Sequence, residues 1–294
     1  MIHNRFLQKT RNKILKTIDT IPYLQHHNRL AYQADVEKYN SHLSEISCCD
    51  LEIVKKIEQD GIYITSLKDL EIPNSFDFLQ TAKSLIPEIP TLPSNNNNQF
   101  VVHASSEQIM ANPIIYLWGL EPRLINIVEH FLGLPVAYHG VYVRRDVANN
   151  LEIGSRLWHI DKEAHKILKV IVYLHDVDEN NGAFEYLTPD VTLEVAKSLK
   201  YRTGYICDQI MQSVIPDSYY QPCVGKAGTV IFAATHSIFH RGKIPVHADR
   251  YSVFFDYTPR LKEHSFYGDS CLASEDITSL STHLSQYQKD CLFY

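Results

Sequence analysis

Five residues in the second half of the chain have side chains that could together hold a metal ion and an organic acid. His159 and Asp161 form a His-x-Asp triplet, and His240 follows a later predicted strand. Two imidazoles and one carboxylate can occupy one face of an octahedral ferrous ion and leave three positions open. Arg250 and Ser252 could then anchor the distal carboxylate of 2-oxoglutarate, because a guanidinium binds a carboxylate through two hydrogen bonds. The set predicts an oxygenase that uses iron(II) and 2-oxoglutarate.

The sequence around the triplet favours an extended backbone. Alternation along a strand places His159 and Asp161 on the same side, where both can reach one ion. A third ligand must come from elsewhere, and the predicted strand 229–233 is followed by two candidates. We prefer His240, which lies closer in sequence to the predicted anchoring arginine, and we keep His236 as the alternative.

A second His-x-Asp triplet, His247-Ala248-Asp249, shows that the motif alone is a weak signal. A chain with 15 histidines is expected to contain about one such triplet by chance. The second triplet lies in a polar turn just after Pro245, and the histidines beyond it fall in a segment with little strand character. We therefore interpret the first triplet as the ligand pair.

The predicted anchor for 2-oxoglutarate lies on one face of the strand that begins at Arg250. Alternation puts Ser252 on the same face, so a guanidinium and a hydroxyl could bind one carboxylate inside an apolar barrel. A buried arginine without an anion would cost several kcal/mol. The alternative is that Arg250 lies at the surface or pairs with an acid of the chain, such as Asp256.

Composition argues against several other classes of function. The formal net charge of −6 disfavours nucleic acid or an anionic membrane as the main partner, since both require a concentrated basic surface. A small-molecule substrate fits better. The six cysteines contain no Cys-x-x-Cys pair, which is typical of reduced thiols in a cytoplasmic protein. The sequence leaves the oligomeric state open.

Several short apolar runs separated by turn residues follow residue 136. They lie at 136–143, 167–174, 182–187, 229–233 and 251–257. Such runs predict a mainly β protein with flanking helices, whose core is a double-stranded β-helix of the jelly-roll or cupin-like type.

We expect one folded oxygenase domain over residues 52–258. It follows a helical N-terminal extension over 1–51 and precedes a C-terminal tail over 259–294. Within the domain, the Tyr- and Ile-rich stretch 188–222 predicts a lid over the site or, alternatively, an insertion with its own small core.

With these residues in place, the chain resembles the phytanoyl-CoA dioxygenase family, also called PhyH-like, over roughly residues 52–258. Trp158-His159-Ile160-Asp161 is similar to the family's Trp-His-x-Asp, and His240-Arg241-Gly242 is similar to its distal ligand segment. Further matching pieces, in the same order as in the family, are 58–64, 127–133, 174–183 and 228–232. The resemblance implies a double-stranded β-helix and ferrous iron. It also implies O2 as the oxidant, with decarboxylation of 2-oxoglutarate to succinate and CO2 coupled to oxidation of an unactivated C–H bond.

The chain departs from the family where the pocket edge is expected. After Gly182-Ala183 the family usually continues to Pro-Gly-Ser-His, whereas this chain reads Glu185-Tyr186-Leu187-Thr188-Pro189-Asp190. Acyl-CoA is therefore not carried over as substrate, and we expect a small organic metabolite. Because Asp161 leaves no vacant iron position for chloride, we predict hydroxylation, desaturation or cyclisation. The alternatives are a zinc-dependent cupin-like hydrolase and a non-catalytic β-barrel binding protein.

Overall fold

Two antiparallel β-sheets form the centre of the molecule. The computed structural model describes residues 22–90, 99–162, 164–260 and 272–293. Residues 1–21 and 91–98 therefore lie outside the described residues, and the predicted helical extension 1–51 is described from residue 22 onward. The strands in the described ranges are β1 (Ile62–Ser66), β2 (Val101–His103), β3 (Val136–Asp146), β4 (Leu168–Tyr173), β5 (Phe184–Tyr186), β6 (Gln221–Cys223), β7 (Thr229–Ala233), β8 (His240–Gly242) and β9 (Arg250–Pro259).

The order of the strands identifies the fold. The large sheet has the order β1-β7-β4-β9-β3-β2, and the small sheet has the order β6-β5-β8. A bridge between His159 and His240 adds the segment 158–159 to the small sheet beside β8. From β3 onward the chain passes back and forth between the sheets: β3, β4, β7 and β9 lie in the large one, and 158–159, β8 and the consecutive strands β5 and β6 lie in the small one. This arrangement is a jelly roll, and it confirms the predicted mainly β fold with a double-stranded β-helix core.

Side-chain alternation along the strands separates two apolar layers. On β9, Phe254 belongs to the cluster between the two sheets, whereas Val253 and Phe255 belong to the core behind the large sheet. On β4, Ile171 and Val172 divide between the layers in the same way. Burial on both faces explains why these strands appear in the sequence as nearly continuous apolar runs.

Helices cover the outer face of the large sheet and flank the small one. In the described ranges they are α1 (Pro22–Tyr39), α2 (Cys48–Asp60), α3 (Leu67–Leu70), α4 (Ser75–Ser84), α5 (Ser106–Ala111), α6 (Ile114–Trp118), α7 (Pro122–Leu132), α8 (Pro189–Ser198), α9 (Asp208–Gln212), α10 (Ser274–Leu280) and α11 (Gln286–Asp290). None of them combines the length and the hydropathy that a membrane span requires.

The apolar stretch after Asn112 reads in the sequence as one long helix, but the structure divides it into α6 and α7. Gly119 lies at the break, where an added Cβ would come within 2.6 Å of the side chains of Tyr138 and Phe255. Pro122 then begins the second helix, because its missing N–H costs nothing in the first turn. Gly133, in the left-handed conformation at φ 70°, ends it.

The stretch 188–222 packs against the outer face of the small sheet with its own apolar cluster. Its Val195 and Met211 contact that face beside Trp158 and Phe239. The cluster thus joins residues of the stretch to residues of the small sheet. One side chain of the stretch nevertheless reaches the predicted ligands, because the ring of Tyr205, 58% exposed, lies 5.1 Å from the ring of His159. A lid role stays a prediction.

Residues 272–293 pack on the body of the protein. The backbone N–H of Tyr138 donates to the carbonyl of Cys291 at 2.9 Å, next to the start of β3. The hydroxyl of Tyr287 donates to the buried carboxylate of Glu129 in α7 at 2.8 Å. These bonds tie the segment to the helical layer behind the large sheet.

Candidate metal centre

The three predicted metal ligands come together in space. His159, Asp161 and His240 each offer one ligand atom, and these atoms lie within 4.8 Å of one another. Nε2 of His159 is 3.6 Å from Oδ1 of Asp161, and Nε2 of His240 is 3.8 Å from Oδ2. Bonds of about 2.0–2.2 Å from such nitrogen and oxygen atoms to one cation suit this spacing. The chemistry of the donor set and its geometry both fit a divalent metal.

The backbone sets the distance between the two imidazoles. The N–H of His159 donates to the carbonyl of His240 at 3.1 Å, and the N–H of His240 donates back at 3.0 Å. The two residues are thus directly opposite each other on neighbouring strands, which brings their ring centroids to 4.3 Å. Asp161 then leaves the small sheet and donates its N–H to the carbonyl of Thr235, just after β7.

Both imidazoles are held with Nε2 toward the site. Nδ1 of His159 lies 2.9 Å from the carbonyl of Leu157, and Nδ1 of His240 lies 3.2 Å from the carbonyl of Ile238. A carbonyl accepts only from a protonated Nδ1, so Nε2 keeps its lone pair for a metal. The ring of Phe184 stacks on the ring of His240 at 5.5 Å and fixes its plane.

The protonation states at neutral pH are those that a metal requires. Burial, with a smaller contribution from the neighbouring His159, lowers the pKa of His240 to about 3. Burial alone would raise the pKa of Asp161, but Lys169 and the two imidazoles hold it well below its usual range. The site therefore presents a neutral imidazole and an ionised carboxylate, and neither has to lose a proton before a cation binds.

Lys169 is a neighbour of the site that the sequence analysis missed. It lies on β4, and its Nζ is 2.7 Å from Oδ2 of Asp161. The sequence signal was a charged residue inside an otherwise apolar strand, which does not by itself say what the charge contacts. The ammonium neutralises the carboxylate and opposes a metal cation that would bind Oδ2, while Oδ1 faces His159.

The alternative ligand His236 lies elsewhere. Its Nδ1 is 3.2 Å from the backbone nitrogen and carbonyl oxygen of Ile167, and it does not belong to the ligand group found among the described residues. The aspartate of the second His-x-Asp triplet makes contacts outside the ligand group. Asp249 accepts from the guanidinium of Arg145 at 2.5 Å and from the backbone N–H of Ala148 at 2.8 Å.

The predicted anchor Arg250 is buried between the sheets and has an acid partner. Its Nη2 is 2.8 Å from Oδ2 of Asp146, with 2% and 1% of the two side chains exposed. This partner is not Asp256, the example named from the sequence. Asp256 lies opposite Lys169 in the register of β4 and β9. The guanidinium also donates to the carbonyl of Gly182. Pairing across two strands depends on their register, which the sequence does not give.

One carboxylate is shared by two arginines, so the cluster keeps a positive charge. Arg144 donates from Nε to Asp146 at 3.0 Å and contacts the face of the Phe254 ring, 4.8 Å from its centroid. Burial alone would raise the pKa of Asp146, but Arg144 and Arg250 together lower it to about 2. Two guanidiniums and one carboxylate leave one uncompensated positive charge, which favours the binding of an anion.

Two buried polar atoms beside this charge have no hydrogen-bond partner among the residues that the structure describes. They are Nε of Arg250 and Oγ of Ser252. Buried polar groups are nearly always paired, so such atoms indicate a place where another molecule supplies the partner. A carboxylate group is the acceptor that both donors would suit.

Gly242 links the anchor to the metal ligands. A Cβ added to Gly242 would lie 2.8 Å from Nη2 and 3.6 Å from Cζ of Arg250, so the guanidinium packs directly on this glycine. Gly242 and His240 are two residues apart on β8 and share a face, which separates them by roughly 6.6 Å. This spacing is comparable with the length of a five-carbon dicarboxylic acid.

Comparisons with known proteins find similarity to solved structures only. No protein family model matches the chain, and no curated protein matches it in sequence. The epimerase SnoN from nogalamycin biosynthesis, described as non-heme and alpha-ketoglutarate dependent, is 15% identical with a TM-score of 0.49, over 72% of this chain and 83% of that one. HygX from Streptomyces hygroscopicus, solved with nickel and 2-oxoglutarate, is 14% identical with a TM-score of 0.48, over 74% and 89%.

A further solved structure is EctD from S. alaskensis with 2-oxoglutarate and 5-hydroxyectoine. It is 18% identical with a TM-score of 0.47, over 73% of this chain and 76% of that one. The fold described above rests on the strand order of this chain and not on these matches. Membership of the phytanoyl-CoA dioxygenase family stays a prediction.

Proposed function

We propose that the protein is an iron(II)- and 2-oxoglutarate-dependent oxygenase that oxidises a small organic metabolite. The observation that carries this proposal is the juxtaposition of two sites in one barrel. Three ligand atoms for a divalent metal converge at His240, and a buried cationic cluster lies against Gly242, two residues further along the same strand.

His159, Asp161 and His240 would hold the iron, and Arg250 with Ser252 would hold the distal carboxylate of 2-oxoglutarate. The unpartnered Nε of Arg250 and Oγ of Ser252 support this assignment, since both can donate to a carboxylate. When bound, iron with 2-oxoglutarate and dioxygen would supply the oxidising power, with dioxygen as the oxidant and succinate and CO2 as coproducts.

The chain's own contribution is to orient the reactants and to exclude water. Asp146 and the carbonyl of Gly182 fix the plane of the Arg250 guanidinium, so an acid bound there points toward the metal ligands. Asp161 supplies an oxygen ligand where a halogenating enzyme needs a vacancy for chloride. We therefore propose hydroxylation, desaturation or cyclisation as the reaction.

A zinc-dependent hydrolase could use the same three ligands, but it would give no role to the anchor. The deciding experiment is an anaerobic titration of the protein with iron(II) and then 2-oxoglutarate, followed by the weak visible charge-transfer band of the chelate. We expect the band in the wild-type protein. We expect Arg250→Ala to bind iron and to require a much higher concentration of 2-oxoglutarate for the same band.

Two results would overturn the proposal. Absence of the band in iron-loaded wild-type protein would favour a zinc enzyme or a binding protein. If Arg250→Ala required the same concentration of 2-oxoglutarate as the wild-type protein to give the band, Arg250 would not be the residue that binds the distal carboxylate. The substrate itself is best sought by comparing small molecules in extracts of cells with and without the protein.

A further inference from the structure

A second cluster of charged and aromatic side chains lies behind the small sheet. It consists of Arg241, Glu185, Asp208, Trp158 and Tyr220, and we call it the Arg241 cluster. Side chains alternate along β8, so Arg241 points away from the space between the sheets where the neighbouring ligand histidine points. The cluster is therefore separated from the predicted metal by the thickness of one sheet.

The guanidinium of Arg241 is the centre of this cluster. Its Nε and Nη2 are each 2.7 Å from Oε2 of Glu185, and its Nη1 is 2.5 Å from Oδ1 of Asp208. Its Cζ lies 4.5 Å from the ring centroid of Trp158 and 5.5 Å from that of Tyr220. Trp158 in turn donates from Nε1 to Asp208 at 3.0 Å.

Each strand residue of the cluster is next to a residue of the metal centre. Trp158 directly precedes His159, and Arg241 directly follows His240. Glu185 directly follows Phe184, whose ring stacks on the ring of His240. One guanidinium thus ties together the three neighbouring segments of the small sheet that carry and support both imidazoles.

The same guanidinium also connects the ligand segments to the stretch 188–222. Asp208 begins α9, and Tyr220 precedes β6, so both belong to that stretch. Tyr205, from the same stretch, contacts the ring of His159. Any movement of the stretch relative to the small sheet would change contacts of Arg241.

The energetics favour a positional role over a stabilising one. Arg241 is 7% exposed and Glu185 is 2% exposed, so both charges have left water. The cost of desolvating a buried ion pair is about as large as the attraction between its charges, and well-packed apolar residues often serve stability equally well. What the planar, two-pronged guanidinium adds is a fixed geometry among its partners.

We propose that Arg241 is a positioning residue of the metal centre, which fixes the spacing of His159 and His240 and couples it to the stretch 188–222. This inference rests on the proposed function, because it takes those histidines as metal ligands. Outer partners of ligand residues typically change metal affinity by about 10- to 100-fold when they are removed.

The test is cobalt(II) binding by metal-free protein, followed by the d–d absorption that reports the ligand geometry. In Arg241→Met we expect about 10- to 100-fold weaker cobalt binding and an altered spectrum. Arg241→Lys keeps the charge but loses the planar fork, and we expect it to behave like Arg241→Met. A Lys variant with wild-type affinity and spectrum would overturn the proposal.

Arg123→Met is the matched control, because its ion pair lies far from the small sheet. Arg123 pairs with Asp50 at 2.8 Å and joins α7 to α2. We expect this variant to lose thermal stability and to keep the cobalt affinity and spectrum of the wild-type protein. An equal loss of cobalt affinity in Arg123→Met would show that general destabilisation accounts for the effect, which would overturn the proposal.

Removal of Arg241 alone leaves the buried carboxylate of Glu185 with Lys243, at 3.1 Å from Oε1, as its remaining cation, and the lost partner could prevent folding. The double variant Arg241→Met with Glu185→Gln removes that charge, and we expect it to fold and still to bind cobalt weakly. Wild-type affinity and spectrum in the folded double variant would overturn the inference and leave the proposed function intact. If the wild-type protein itself binds no cobalt, the ligand assignment is wrong, and both proposals fall.

Discussion

Gly242→Ala adds one methyl group at the point where the predicted cosubstrate anchor touches the strand of a metal ligand. The three atoms nearest to the new Cβ all belong to Arg250, at 2.8 Å from Nη2 and 3.6 Å from Cζ and Nη1. A normal contact requires about 3.5 Å, so the guanidinium has to move by roughly 0.7 Å. It is held in place by Asp146 at 2.8 Å and by the carbonyl of Gly182.

The expected size of the effect follows from the bonds that this movement strains. A hydrogen bond to a charged group contributes about 1.5–3 kcal/mol. If the displaced guanidinium loses one such bond to the distal carboxylate, the dissociation constant of 2-oxoglutarate rises roughly 10- to 150-fold. Metal affinity should not change, because the methyl group contacts the guanidinium and not the imidazole of His240.

The assay is anaerobic titration of 2-oxoglutarate into the iron(II)-loaded variant, followed by the visible charge-transfer band. Iron affinity and thermal stability are measured in parallel. Arg123→Met is the control for a general loss of stability, because the ion pair of Arg123 with Asp50 joins α7 to α2 and contacts neither Arg250 nor β8. An unchanged dissociation constant for 2-oxoglutarate in folded, iron-loaded Gly242→Ala would refute the placement of the anchor. A parallel loss of iron affinity would refute it as well, since the strand would then have moved instead.

Three further predictions concern the metal ligands and their protonation. His240→Ala should abolish cobalt(II) binding, whereas His236→Ala should retain it; the reverse result would exchange the two assignments. Lys169→Met removes the cation beside Asp161 and should strengthen metal binding about tenfold or more, because an electrostatic repulsion of about 1.4 kcal/mol or more between the ammonium and the metal is lost. A competition titration measures the affinity, and weaker binding would contradict the prediction. Burial lowers the pKa of His139 and His236 to about 4 and that of His240 to about 3. The unfolded chain takes up these protons near pH 6.5 and the folded protein does not, so the free energy of unfolding should fall as pH decreases below 6.5. At about pH 5.5 the free energy of unfolding should be lower by about 1.4 kcal/mol per histidine, or roughly 4 kcal/mol for the three. Urea denaturation of metal-free protein measures it, and a constant free energy of unfolding between about pH 7.5 and 5.5 would contradict the prediction.

Much of the barrel could be predicted because its strands are encoded locally. The run Thr229–Ala233 was predicted with its observed bounds, since an apolar, β-branched segment between turn residues can hardly form anything else. The three-residue strands β2, β6 and β8 were missed. They are too short to show a period, and β8 contains the charged Arg241, which only its partners behind the sheet explain.

In the candidate site, too, the residues that local sequence indicates could be predicted, and the residues that make contacts across strands could not. An extended backbone at the triplet predicted that His159 and Asp161 lie on one side, and the strand run before His240 offered that histidine as a third candidate. The structure brings these three side chains together, and their role as ligands stays a prediction. The neighbours that set the charges of the site, Lys169 and Asp146, could not be predicted. Their contacts are made across strands, and the register between strands is fixed by the whole sheet and not by any single segment.

The reciprocal backbone hydrogen bonds between His159 and His240 provide a way to detect molecules in which these two strands are incorrectly paired. A slip of one residue between these two strands would turn one of the two imidazoles to the outside of the barrel, because side chains alternate with a period of two. A misassembled molecule would then lack a complete ligand set, however compact it was. If the proposed metal binds at these residues, the stoichiometry of metal uptake in a purified sample counts the correctly paired molecules, which makes it a more discriminating measure of refolding yield than solubility.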